Sequence, residues 1–278
     1  VHGAFSGPVD PVSALGSETV GPRIHPSAIV DPGARLAEGI EIGPYAVIEA
    51  DVEIGPACRI AAHAVIKRYT RMGRGNRVHE HAVLGGTPQD LAFRGVQSGL
   101  EIGDANTIRE GVTLHRATRE GHSTRIGDGT FLMAYSHVAH DCTVANHVVL
   151  ANGACLGGHV SVGERAFLSA AVAVHQFCRI GRLCMVSGLA GVTMDCLPFT
   201  LVAGNPARVV GLNKVGLKRA GIDPEAIADL KRAFQRLFAE AGATREALAA
   251  LSEQSSPLVR EWVEFIQGSS RGFARQRP

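Results

Sequence analysis

Residues 40–66 read IEIGPYAVIEADVEIGPACRIAAHAVI, with isoleucine at 42, 48, 54, 60 and 66. A spacing of six matches neither the 3.6-residue period of a helix nor the alternation of a half-buried strand. The same register runs back through Leu36, Val30 and Ile24 and forward through Met72, Val78 and Leu84. It resumes at Val96, Ile102, Ile108 and Leu114, then runs from Ile126 to Val192; only Asp90 and Glu120 put a charged residue in the slot. Such a pattern predicts an all-β solenoid, a prism whose three flat faces are short strands with one aliphatic each pointing inward. Coils of 18 residues would stack as parallel strands about 4.8 Å apart, and each coil would bury its aliphatics only against its neighbours.

Four places after the aliphatic the residue is often small, as at Ala28, Ala34, Ala46, Ala64, Ala82, Ala154, Ala166 and Ala190. Cys58, Cys142, Cys178, Cys184 and Cys196 occupy that same slot, so they read as small apolar fillers, and the chain has no CxxC pair. That usage suits a reducing, cytosolic setting without disulfides. Glycines directly after the aliphatic, such as Gly43, Gly55, Gly73 and Gly163, are expected to serve turns with unusual backbone angles. Two polar stretches, 85–101 and 115–124, break the repeat and are expected to project as functional loops.

The period places the solenoid at 23–204, after a flexible leader at 1–22 and before a C-terminal helical extension at 205–278. In that extension Asp223-Pro224-Glu225 reads as a helix start, followed by an apolar stripe of Ile227, Leu230, Phe234, Leu237 and Phe238. Further helices are expected from Thr244 and from Pro257, all packing over the end of the prism. No apolar run is long enough to span a bilayer, and residues 1–22 lack the pattern of a signal peptide. A net charge of +2 gives no reason to expect nucleic acid. Two basic runs, Arg59 to Arg77 and Lys214 to Arg236, read either as solvated faces or as docking surfaces for an acidic carrier.

Phosphate-loop, nucleophile-elbow and HExxH zinc motifs are all absent. The polar signal is histidine: of twelve, His137, His140, His159 and His175 fall together in the regular coils. Residues 18 apart should stack, which puts His140 against Gly158, with His159 beside it, and Gly157 against His175. Asp141 follows His140 and could orient it or stabilise its charge. A general base next to the backbone N–H groups of Gly157-Gly158 is what acyl transfer to a hydroxyl needs.

The segments HVAHDCTV (137–144), LGGHVSVG (156–163), AVHQFCRIG (173–181), PQDL (88–91) and GLKRAG (216–221) make the chain resemble the UDP-N-acetylglucosamine O-acyltransferases. The resemblance spans residues 22–270. It implies a left-handed parallel β-helix, a homotrimer with sites between subunits, and no cofactor or metal. The implied reaction transfers an (R)-3-hydroxyacyl group from acyl carrier protein to the sugar 3-position, the first step of lipid A synthesis. His140 would be the general base, Asp141 its support and the Gly158 N–H the oxyanion donor. Gln89, Asp90, His115 and His137 would contact the sugar. His159, His175 and Gln176 would line the acyl and nucleotide region, and Asn213 and Arg219 would meet the nucleotide. Gly188 matches a position that limits acyl length, and its small size would admit a longer chain. The chain departs from the family at Ala92 and Ala220, where a lysine and a second arginine are usual.

Other readings divide on simple observations. Acylation of a 3-amino UDP-sugar is open on the same residues. A zinc carbonic anhydrase of this solenoid type needs an HxxxxH spacing that the chain lacks. A later N-acyltransferase of lipid A synthesis usually carries an N-terminal domain, for which residues 1–22 are too short. An acetyl-CoA enzyme and a catalytically silent scaffold separate from these by activity.

Overall fold

A computed structural model describes residues 21–238, 251 and 256–276. Residues 1–20 of the leader expected at 1–22 and, apart from Leu251, the helix expected from Thr244 lie outside the described residues.

Three sheets of eleven, nine and eight strands, parallel except for the last strand of the first, form the faces of a prism. Consecutive strands of the chain go to successive faces, so each sheet pairs every third strand, as in Ile42 with Ile60 and Val149 with Phe167. The aliphatic slots are buried along the axis: Ile48, Ile66, Leu84, Leu132 and Leu150 are at most 1% exposed. The small slot points inward as well, since Ala46, Cys58, Ala64 and Cys142 are fully buried. Each six-residue segment therefore gives the core a large and a small residue in alternation. This is why a chain with few aromatic rings fills its interior.

Between strands the chain turns at a left-handed residue three places after the aliphatic. Tyr45, His63, His81, Asp141, His159 and Phe177 all have φ between 57° and 64°. Gly43, Gly55, Gly73 and Gly163 serve a different end from the one expected, because their φ is not positive. They allow the coils to approach: a Cβ on Gly55 would lie 2.7 Å from the Gly73 carbonyl carbon, and one on Gly43 would lie 3.0 Å from the Ala62 nitrogen.

Ordinary coils advance by 18 residues, but Met72 pairs with Ile102 and Ile102 with Ile126. The two longer coils accommodate insertions at the corner that follows the second face. The loops run from 87 to 98 and from 116 to 122, between Val83–Gly86 and Gly99–Ile102 and between Thr113–His115 and Ser123–Ile126. Both insertions are multiples of six, so the numerical register survives them. Val96, which keeps the register, is a loop residue, and the core resumes at Leu100 and Ile102.

The first basic run is also dispersed by the prism. Arg59 faces Glu41, Lys67 faces Glu49, Arg68 faces Asp51 and Arg71 faces Glu53, each an acid one coil back. Distributed around the prism and neutralised, these residues form no single basic surface. The second run remains exposed on the helices.

After the last coil an antiparallel hairpin, Thr200–Ala203 with Arg208–Leu212, leads into helices α1 (Lys214–Arg219), α2 (Pro224–Phe238) and α3 (Pro257–Gln267). Asp223 Oδ1 accepts from the Glu225 N–H, as expected for the start of α2. Leu230, Leu237 and Trp262 are buried in a second core with Leu183, Leu197 and Phe199 from the final coils. Trp262 Nε1 donates to the Pro198 carbonyl at 2.7 Å, and Arg182 pairs with Glu261. No helix among the described residues is long and apolar enough to cross a membrane.

Candidate active site

His140 and Asp141 sit at the corner that follows the second face, in the coil after the two insertions. His140 Nδ1 lies 2.8 Å from Asp141 Oδ2. That contact leaves Nε2 as the open nitrogen of a ring that is 9% exposed. The ring rests on Gly158, as stacking by 18 predicts: a Cβ there would meet His140 Cε1 at 2.5 Å and Nε2 at 2.7 Å. Glycine is thus required at 158 by space, not by an unusual φ. Among the described residues the buried Gly158 N–H has no backbone acceptor, although its carbonyl accepts from Phe177.

His159 stands one coil further along. Its Nε2 is 3.7 Å from Asp141 Oδ2, its ring is edge-on to His140 at 5.2 Å, and it stacks on Phe177 at 4.5 Å. Burial would push the Asp141 carboxyl up. Hydrogen bonds from Thr118 and His140 outweigh burial and hold it below the ordinary carboxylate value. Burial lowers His159, with the Asp141 charge opposing and His140 and Arg119 assisting; Asp90 acts on it more weakly from the first loop.

On the adjoining flat face His115 and His137 meet edge to face at 4.8 Å. Burial, followed by the neighbouring His137 and His140, lowers His115 to about 4, and burial lowers His137 also. His137 Nδ1 is 2.7 Å from the Thr113 hydroxyl. Gly86 makes room for His115, since a Cβ there would lie 2.7 Å from its Cδ2.

The other expected residues scatter more widely. Gln89 is exposed, and Asp90 turns its Oδ1 back to the Ala92 N–H. His175 and Gln176 are exposed on the same edge one coil beyond Gly158, with His175 Nδ1 on the Gln176 carbonyl. Gly188 lies on a different edge, the corner between the first and second faces. Asn213 caps α1, its amide taken up by the Leu183 carbonyl and the Gly216 N–H. Arg219 is exposed in the last turn of α1.

Several members of the site carry no periodic signal. Thr118 gives Asp141 Oδ2 a hydroxyl bond at 2.7 Å, and Thr124 Oγ1 accepts from the Asp141 N–H at 2.8 Å. Arg116 lies between the Tyr69 and Phe93 rings and ties the first loop to the second. His140, Asp141 and His159 also offer one nitrogen or oxygen ligand atom each within 4.8 Å, a donor set of the kind that divalent ions take.

Residues 195–274 match the family model described as UDP-N-acetylglucosamine O-acyltransferase, domain 2, and 41–68 and 123–158 match the bacterial transferase hexapeptide model. The acyl-[acyl-carrier-protein]–UDP-N-acetylglucosamine O-acyltransferase of Alkalilimnicola ehrlichii is 52% identical over 91% of this chain and 99% of its own length. The chain belongs to the UDP-N-acetylglucosamine O-acyltransferase family. The family's enzyme from Moraxella catarrhalis superposes with a TM-score of 0.87 at 36% identity, covering 91% of this chain and 99% of that one. The enzyme from Francisella novicida gives 0.88 at 33% identity, over 91% of this chain and 94% of that one. Family membership makes the prism a left-handed β-helix and the protein an acyltransferase.

Proposed function

We propose that this acyltransferase moves an (R)-3-hydroxyacyl group from acyl carrier protein to the 3-hydroxyl of UDP-N-acetylglucosamine, the first step of lipid A synthesis. One observation carries the reading: His140 has Nδ1 on Asp141, an open Nε2, and a ring lying on Gly158, whose N–H has no backbone acceptor among the described residues.

His140 Nε2 takes the proton as the sugar oxygen attacks the thioester carbon. The oxyanion forms at the Gly158 N–H, and Asp141 stabilises the imidazolium. Collapse expels the carrier thiolate, and His140 returns the proton to it. No covalent enzyme intermediate and no cofactor are needed. His115, His137 and His159, all lowered in pKa, serve as neutral hydrogen-bonding partners near pH 7.

As in the resemblance, the working unit is a cytosolic homotrimer with its sites between subunits. A neighbouring copy would bring Gly188, Asn213 and Arg219 toward a site from which they are separate within one chain. The exposed run Lys214 to Arg236 is the surface for the acidic carrier. Ala92 and Ala220 each withhold a cationic contact to the sugar or phosphate, which keeps a 3-amino acceptor as the second reading.

The test is acyl transfer from 3-hydroxyacyl carrier proteins of several lengths to UDP-N-acetylglucosamine and its 3-amino analogue, with His140→Ala as control. Turnover that the control loses supports the reading, and the faster acceptor decides between oxygen and nitrogen. A folded protein that uses neither sugar overturns it.

A further inference from the structure

The carboxylate of Asp141 has an unusually complete set of partners, and most come from the second insertion. Thr118 donates to it twice, through Oγ1 at 2.7 Å and through its N–H at 3.2 Å to Oδ2 and 3.3 Å to Oδ1. Thr124, where the coil resumes, accepts from the Asp141 N–H at 2.8 Å. The corner itself is left-handed at Asp141, with φ at 59°.

The segment that carries Thr118 is itself fixed. The Arg116 N–H donates to the Gly86 carbonyl, the Ala117 N–H to Gly99 and the Gly121 N–H to Gln97. The Ser98 hydroxyl donates to the Ala117 carbonyl. Arg116 lies over Tyr69 and Phe93. The two insertions thus brace each other against the prism, and Thr118 projects from that brace onto Asp141.

A carboxylate beside an imidazole can take several rotamers, and only one puts Oδ2 on Nδ1. With Thr118 on the same oxygen, Oδ2 is pinned between two donors, so His140 carries its proton on Nδ1 and keeps Nε2 free. We propose that Thr118 is a positioning residue, which holds Asp141 so that His140 presents Nε2 to the acceptor. The inference rests on the base reading for His140 and adds a role for the second insertion: it supplies the lock on the dyad.

Thr118→Val keeps shape and main-chain N–H and removes the hydroxyl, whereas Thr118→Ser keeps the hydroxyl. In Thr118→Val, kcat is expected to fall roughly 10- to 100-fold, the loss of one hydrogen bond to a charge, with KM for the sugar nucleotide nearly unchanged. The acidic limb of its rate profile should shift, because the carboxylate that stabilises the imidazolium has lost a donor and holds it differently. Ring nitrogen shifts of His140 should show a smaller share of the Nδ1–H tautomer. Thr118→Ser should restore rate, profile and tautomer. A Thr118→Val enzyme with the unmodified rate and profile overturns the inference, as does a Thr118→Ser enzyme as impaired as Thr118→Val, which would mean packing alone. His140→Ala separates the two claims: if it stays active, the base reading fails whatever Thr118 does. If it is inactive while Thr118→Val is normal, only the positioning role fails.

Discussion

Tyr45, His63 and His81 stand on one edge of the prism at the same left-handed corner position that Asp141, His159 and Phe177 occupy on the next. On the first edge the rings stack in register, 5.1 and 5.0 Å apart, and face solvent. On the second, His159 stacks on Phe177 at 4.5 Å, but its other side meets a carboxylate and a second imidazole. Regular stacking alone therefore makes a ladder of rings. The second edge differs because two insertions leave the repeat there, and the second lays Thr118 on the Asp141 carboxylate.

The largest contrast is expected when one histidine is deleted from each edge. His140→Ala should lower kcat by roughly 10²- to 10⁴-fold, the range for a lost general base. His63→Ala should leave turnover unchanged, because nothing on that edge carries a proton to substrate. Steady-state rates on the two folded variants decide it. Equal losses would mean that the ring ladder, too, takes part in the reaction.

A second pair uses glycines. Gly158→Ala drives a methyl to within 2.5 Å of His140 Cε1 and must displace the ring. Roughly 100-fold in kcat is expected from a displacement of that size, with little change in melting temperature. Gly153, on the first edge, has φ at 68° and open space around it. Gly153→Ala should cost about 1 kcal/mol of stability through backbone strain and leave kcat alone. Denaturation midpoints and rates measured together show whether the two costs separate as stated.

What the sequence revealed follows the same division. Wherever the coil is regular, arithmetic suffices: Ile42 to Ile66 give the core, and a step of 18 puts His140 on Gly158. Across an insertion the arithmetic loses its meaning. Val96 keeps the count while sitting in a loop, because twelve extra residues are two full repeats. Thr118 touches Asp141 through a loop whose path no period encodes. The first basic run looked like a patch because adjacency in sequence is not adjacency on a prism, where Arg59, Lys67 and Arg71 point from different faces. Gly43 and Gly55 were legible as glycines but not in their purpose, since close approach of the next coil is a tertiary fact.

Acid should single out the second edge. His115, behind the dyad, is lowered from 6.5 to about 4, so between those values the unfolded chain binds a proton that the folded chain refuses. Its contribution to stability is complete above about pH 6.5 and is lost as pH falls toward 4. The depressed Asp141 carboxyl adds loss of the same sign at the lower end. His115→Asn should flatten the fall in stability between pH 6.5 and 4 by roughly 1–3 kcal/mol, read from urea midpoints across that range. A variant with an unaltered slope would show that His115 protonates as freely in the fold as outside it.

The smallest expected effect compares the rings themselves. Phe177→Leu removes the face stacked on His159 and keeps most of the bulk, which should lower kcat by roughly 2- to 10-fold. Tyr45→Leu removes the equivalent stack on the first edge, where Tyr45 is 60% exposed, and should leave kcat unchanged. Phe177 has no charge to offer, and its effect is expected to pass through His159. Combined with His159→Ala, Phe177→Leu should therefore add nothing, whereas independent roles would make the two losses multiply. A multiplying pair would place Phe177 against substrate directly, and the second edge would then be a binding wall as well as a support for the dyad.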